Sequence, residues 1–190
     1  MTRDHLTAFL QRANLLTAAQ AAEIAELFAP RQLRKNDVLL PAGRICDTYL
    51  FLDTGLVRAF VVDAQGNEVT TRFYASGQVV LDAPSFFNRA PAQQQFHALT
   101  ECQGWFLSYQ QLNALFHARP EFREFGRAVL VRALATLQER MLDQIRETAR
   151  TRYEKLLATS PEVFHHAPLK YIASYLGVTD SSLSRIRSNT

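Results

Sequence analysis

Residues Tyr171–Thr190 read YIASYLGVTDSSLSRIRSNT. In a twenty-residue frame from Leu169 to Ser188, Ala173 falls at the fifth position and Gly177 at the ninth. Apolar Ile172, Leu176, Val178, Leu183 and Ile186 fall at four, eight, ten, fifteen and eighteen. That is the spacing of a helix-turn-helix. Ala173 keeps the first helix clear where the second crosses it, Gly177 supplies the positive φ of the turn, and Thr179 can cap the second helix. Outside Leu183 and Ile186 the second helix is polar: Asp180, Ser181, Ser182, Ser184, Arg185 and Arg187. The pattern predicts one anchored face and one free face able to read DNA. An ordinary pair of packed helices is the alternative.

Charge supports the first reading. The chain of 190 residues has a net charge of +3, and residues 146–190 hold seven basic and four acidic residues, which accounts for the whole excess. Phosphate backbones reward such an excess through counterion release. At 47% hydrophobic the chain can build one large core or two small ones. The N-terminal stretch lacks the continuous apolar segment of a signal peptide, and no run approaches the roughly 18 apolar residues of a membrane span. A soluble, cytoplasmic protein with no membrane partner is expected. Cys46 and Cys102 stand far apart, outside any Cys-x-x-Cys, and read as quiet, partly buried thiols.

Working backwards, residues 151–161 predict a short helix, and "EFREFGRAVLVRALATLQERMLDQIRETA" predicts a long one. In it Leu130, Leu134, Leu137 and Met141 recur at the spacing of a coiled-coil seam. That face either packs on the preceding domain or pairs with a second copy, and a two-fold dimer follows from the latter. Residues 108–120 predict another helix.

Further upstream the period becomes strand-like. Extended runs at 48–53, 56–62 and 67–74 are separated by Asp53-Thr54-Gly55 and by Asp63 to Asn67, both hairpin chemistry. More extended segments fall near 95–99 and 104–108, after a break containing Pro84 and Pro91. Seven or eight short strands point to a jelly-roll-like β-roll. Residues 5–29 read as two helices, the second running up to Pro30.

The expected fold is therefore α+β. Residues 1–118 form N-terminal helices and a double-stranded β-roll, 119–146 a long dimerisation helix, and 147–190 a helix-turn-helix domain.

With these parts in this order, the chain resembles the Crp/Fnr family of regulators, built like the bacterial cyclic AMP receptor protein. "GLVRAFVVDAQGNEV" is similar to the family's β-roll hairpin, "ASGQVVLDAPSFF" to the segment entering its phosphate-binding cassette, and "IASYLGVTDSSLSRIR" to its DNA-reading motif. The resemblance implies a homodimeric transcription regulator, not an enzyme, whose partners are double-stranded DNA, RNA polymerase and a small-molecule effector. It places Ser181, Ser182 and Arg185 in the major groove, and Lys170, Thr179 and Arg187 at phosphates. Of the family's base-reading positions, Asp180, Ser181 and Arg185 here, only Arg185 keeps the basic side chain, so the family's usual target sequence is not implied.

The cassette also departs from the family. Leu81-Asp82 stands where cyclic-nucleotide binders have Gly-Glu, and no Lys or Arg occurs from Ala90 to Ala98. A cyclic phosphate would lack its two-pronged guanidinium partner, so ordinary cyclic AMP is not the expected effector and no cofactor is implied. The candidate effector pocket comprises Arg58, Arg72, Asp82, Ser85 and Arg89, unless these arginines are surface residues of the barrel. Many relatives continue past the reading helix. Here only Ser188, Asn189 and Thr190 follow Arg187, which predicts a shortened C-terminus or a truncated chain. The rival function is a cyclic-nucleotide or other small-molecule sensor that does not bind DNA.

Enzyme motifs are not found. The five histidines, His5, His97, His117, His165 and His166, show no His-x-His, and His165-His166 is expected on an exposed loop. No metal site is predicted.

Overall fold

The computed structural model describes residues 2–188. The stretch after Arg187 on which the shortened C-terminus rests, Asn189 and Thr190, lies outside the described residues.

Two helices open the chain: α1 (Asp4–Gln11) and α2 (Ala18–Glu26). A reciprocal Thr17–Gln20 capping box starts α2. The helix stops at Glu26, short of the expected run to Pro30, because residues 29–33 are already a strand. That strand, β1 (Ala29–Leu33), lies at a sheet edge, where the missing Pro30 N–H is tolerated.

The other strands are β2 (Val38–Leu40), β3 (Thr48–Thr54), β4 (Val57–Val62), β5 (Glu68–Tyr74), β6 (Gln78–Val80), β7 (Gln95–Ala98) and β8 (Cys102–Ser108). They form two antiparallel four-stranded sheets, ordered β1-β8-β3-β6 and β2-β7-β4-β5. The α+β roll read from the sequence is thus present. Its break is filled by a short helix, α3 (Ala83–Asn88), with Pro84 in its first turn. After β8, a Ser108–Gln111 capping box starts α4 (Tyr109–Ala118).

Pro120 opens α5 (Pro120–Arg146), whose 27 residues span about 40 Å. Only its first turns are buried, at Phe122, Phe125 and Gly126. Then come α6 (Ala149–Thr159), capped by Thr148, and α7 (Pro161–His166). His165 and His166 therefore sit in the last turn of a helix rather than on a loop, though both are exposed. The chain ends in α8 (Leu169–Leu176) and α9 (Asp180–Ser188), joined through Gly177 at φ 70°.

Two cores hold this together. The larger fills the roll and binds α1, α2, α4 and the start of α5 to it, with Phe9 and Phe51 4.9 Å apart. The smaller joins α6–α9 to the roll's outer face, where Leu56, Phe73, Ala75 and Leu99 pack with Tyr153, Leu156, Ile172 and Leu183. Residues 147–188 are thus completed by the β-roll. Both cysteines are buried, and burial pushes each thiol's pKa up.

Gly55 tests the β3–β4 turn. It holds φ 106°, and a Cβ there would come within 2.6 Å of Cys102 Sγ and the Glu101 carbonyl. Gly55→Ala is expected to cost about 3 kcal/mol and lower the melting temperature by roughly 6–12 °C. Gly66→Ala, with a positive φ but open space around it, should cost about 1 kcal/mol. Thermal unfolding followed by circular dichroism separates the two.

Candidate nucleic-acid interface and effector cavity

The turn between α8 and α9 is built by local chemistry. The backbone N–H of Gly177 donates to Ser174 and Ala173, closing α8, and Thr179 Oγ1 accepts from the Ser182 N–H at 3.2 Å, opening α9. The Thr179 hydroxyl also donates to Ser182 Oγ at 2.9 Å and lies 3.0 Å from Ser181 Oγ. Thr179 and Ser182 are therefore occupied in capping. Asp180 stands in the first turn, where its charge favours the helix dipole.

Leu183 is fully buried against α8, and Ile186 is half-buried in the same core. Ser181, Ser184, Arg185 and Arg187 are exposed along the other side of α9. Among the described residues neither arginine pairs with an acid. Lys170 is exposed on α8, with its ammonium 5.1 Å from the Tyr171 ring.

The opposite side of α8 meets the roll. Antiparallel register puts His97, Arg58 and Phe73 in one row across β7, β4 and β5. Arg58 has no exposed surface, and its guanidinium lies 3.5 Å from the Tyr171 ring centre and 4.3 Å from that of Phe60. It donates to Glu68 at 2.6 Å and to Thr70 Oγ1 at 2.9 Å, while Nη2 has no partner.

Thr70 in turn meets Ser174, whose hydroxyl donates to Thr70 Oγ1 at 2.9 Å and accepts from its N–H at 3.1 Å. Beside it Thr71 is left over where the register slips between Ala59/Arg72 and Phe60/Thr70, a β-bulge. Its carbonyl accepts from Arg140 of α5, and Arg140 also donates to the Tyr175 carbonyl at 3.3 Å and stacks on the Tyr175 ring. Burial pulls the Arg140 pKa below its ordinary value, Tyr175 opposes this, and the neighbouring Arg72 charge adds to it. The sequence reading missed Tyr171, Ser174 and Arg140. The available signal was α8 itself, apolar or aromatic at Tyr171, Ile172, Tyr175 and Leu176, as a helix packed on two sides is.

The five expected pocket residues do not converge. Arg58 belongs to the seam under α8 and lines neither the small cavity near Cys46 nor the large one beside α5. Asp82 caps α3 by accepting from the Ser85 N–H at 3.0 Å. Ser85 Oγ accepts from Cys46 N–H at 2.9 Å and donates to the Ala90 carbonyl at 2.6 Å. Arg89 is paired with Asp47, donates to the Cys46 carbonyl at 3.0 Å and stacks on Tyr109. Asp82 does line a small cavity of about 210 Å³ near Cys46 and Phe96, but its charge already serves the helix.

Arg72 lines the larger cavity, of about 630 Å³, between the roll and α5. The sequence reading passed over the other arginines there, Arg12 and Arg132, because they are far apart in the chain.

The predicted seam of α5 is uncovered in a single chain: Leu134 is 65% exposed, Leu137 60% and Met141 57%, and Leu130 is exposed at 39%. Val131 and Ile145 widen the same apolar face. Among the described residues no group of His, Cys, Asp and Glu is placed to hold a metal ion, and no helix is long and apolar enough to cross a membrane.

Comparison with known proteins fits this geometry. Residues 30–119 match the cyclic nucleotide-binding domain family. No curated protein sequence matches the chain. Solved structures of similar fold include CLP, a c-di-GMP-responsive global regulator of Xanthomonas campestris, with 16% identity, 91% of each chain covered and a TM-score of 0.70. FixK2 from Bradyrhizobium japonicum has 19% identity, 85% of this chain and 83% of its own covered, and a TM-score of 0.71. A Crp/Fnr-family transcriptional regulator from Eubacterium rectale has 13% identity, 96% of this chain and 87% of its own covered, and a TM-score of 0.72. Residues 30–119 thus resemble a cyclic nucleotide-binding domain, and the chain shares the fold of these solved structures.

The seam predicts a pH response. Burial chiefly, and the Arg58 charge next, lower the His97 pKa from its ordinary 6.5, against a smaller opposing pull from Glu68. Below pH 6.5 the unfolded chain takes up this proton before the folded one does, so stability is full above that pH and declines as pH falls. Urea unfolding between pH 7 and pH 5 should show this loss, and His97→Gln should reduce it.

Proposed function

We propose that the chain is a homodimeric DNA-binding transcription regulator of the Crp/Fnr type. In this reading α8 and α9 are the helix-turn-helix, and α9 reads the major groove. The observation that carries it is the α9 surface: Arg185, Arg187, Ser181 and Ser184 exposed on one side, and Leu183 buried on the other. Fold likeness to regulators over some nine-tenths of the chain supports it.

Arg185 is the proposed base reader, its guanidinium able to take guanine O6 and N7 together. Ser181 is a second base contact. Lys170 and Arg187 are proposed at phosphates, which position without specifying. Thr179 and Ser182 hold the start of α9 in shape, and the Ser182 hydroxyl, which accepts from Thr179, keeps its own proton to donate to DNA. The exposed stripe Leu130–Leu134–Leu137–Met141 is proposed to pair with its copy about a two-fold axis. Two α9 helices then address half-sites one helical turn apart. The roll is proposed as a sensor for a small molecule other than ordinary cyclic AMP, and RNA polymerase as a further partner of the DNA-bound dimer.

Arg185→Ala is expected to cost on the order of 1–3 kcal/mol on the selected site, confined to one base position per half-site. Lys170→Ala should weaken selected and random duplexes alike. Salt-titrated binding to both duplexes measures this. Equal losses for Arg185→Ala on both would remove its reading role, and no duplex binding at low salt would favour a sensor that does not bind DNA.

A further inference from the structure

The cavity of about 630 Å³ between the roll and α5 has a size typical of small-molecule sites. Its walls are mainly phenyl rings and aliphatic side chains, among them Phe9, Phe87, Phe116, Phe122 and Val129. Three guanidinium groups, Arg12, Arg72 and Arg132, also line it, and no Asp or Glu does. Among the described residues none of the three pairs with a carboxylate: Arg12 makes one long bond to the Gly77 carbonyl, and Arg72 stacks on Tyr74. Arg72 is half-buried, so its unpaired charge is partly desolvated and an anion would be favoured there.

The shape adds a second constraint. Lining residues on α5 extend from Phe122 to Thr136, about 21 Å along the helix axis. The space is long, and apart from arginine its hydrogen-bonding side chains are Gln78, Thr136, Tyr49 and Tyr74, the last already donating to the Leu81 carbonyl at 3.4 Å. A purine with a ribose would bring more polar atoms than these few side chains can satisfy. The start of α3, which could hold a phosphate, is filled by the chain's own Asp82 carboxylate.

From these features we infer that the cavity binds an amphipathic organic acid, a medium-chain fatty carboxylate, with its head at Arg72 and its chain along α5. Arg12 and Arg132 add positive potential around the head. The inference rests on reading the roll as a sensor. It names the class of effector and does not depend on DNA binding. A bound chain would touch Val129, Leu130 and Ala133 of α5, and its head would sit one residue from the Thr71 carbonyl that holds Arg140.

Isothermal titration of the full chain with sodium decanoate, below micelle formation, tests it. Decanol serves as the uncharged control and cyclic AMP as competitor. The expected result is one decanoate per chain, bound at least tenfold more tightly than decanol. Arg72→Gln should bring decanoate down to the decanol affinity, and excess cyclic AMP should leave the isotherm unchanged. Equal affinity for decanoate and decanol, no decanoate binding, or displacement by cyclic AMP each overturns the inference, and the two wild-type ligands decide it even if the variant fails to fold. Duplex binding by the same preparation separates the readings. Its loss with decanoate binding intact removes the regulator, and its presence without decanoate binding removes only this effector.

Discussion

A guanidinium with no access to solvent sits on the outer face of the β2-β7-β4-β5 sheet, and it dictates what can cover that face. Burying a charge costs several kcal/mol unless it is paired and hydrogen-bonded. Arg58 is compensated from three directions: Glu68 supplies the opposite charge, Thr70 accepts a hydrogen bond, and Phe60 and Tyr171 present ring faces. Tyr171 comes from α8, so its share of the compensation exists only with the terminal helices docked, and Nη2 is left without a hydrogen-bond partner. Around this contact lie Leu56, Phe73, Ala75 and Leu99, which would meet water if α8 left. The seam is one cooperative contact, polar at its centre and apolar around it.

The same strand carries the connection further. On β5, Thr70 faces outward to Ser174, the bulged Thr71 gives its carbonyl to Arg140 of α5, and Arg72 faces the large cavity. Arg140 reaches Tyr175 of α8 as well. Three neighbouring residues thus touch the terminal helices, the long helix and the cavity. In the regulator reading, a ligand that shifts α5 against β5 changes the seat of α8 and with it the spacing of two α9 helices. That is a population shift between two packed arrangements, biased by whichever ligand favours one of them.

Much of this was legible from residues alone. The extended runs at 48–53, 56–62 and 67–74 and the turn residues at Gly55 and Asp63–Asn67 located the roll, and the apolar frame from Leu169 to Ser188 located the terminal helix pair. What stayed hidden has physical reasons. β1 contains Pro30, which reads as a break unless the strand is known to lie at an edge. In β4, Val57 to Phe60 are all buried because both faces are covered, so alternation could not say which way Arg58 points. The bulge at Thr71 breaks the parity of β5, putting Thr70 on the same side as Arg58. The anionic-site arginines come from α1, β5 and α5, and nothing in their sequence context joins them. Asp82 and Ser85 looked like pocket residues, and it is their capping and turn bonds, invisible in sequence, that use up their polar atoms.

The central claim is that the free side of α9 reads base edges in a two-fold arrangement. Selection of bound duplexes from a random-sequence pool tests it most directly. The account predicts enrichment of an inverted repeat whose half-sites lie one helical turn apart. A pool that stays unenriched after repeated rounds at low salt would contradict it.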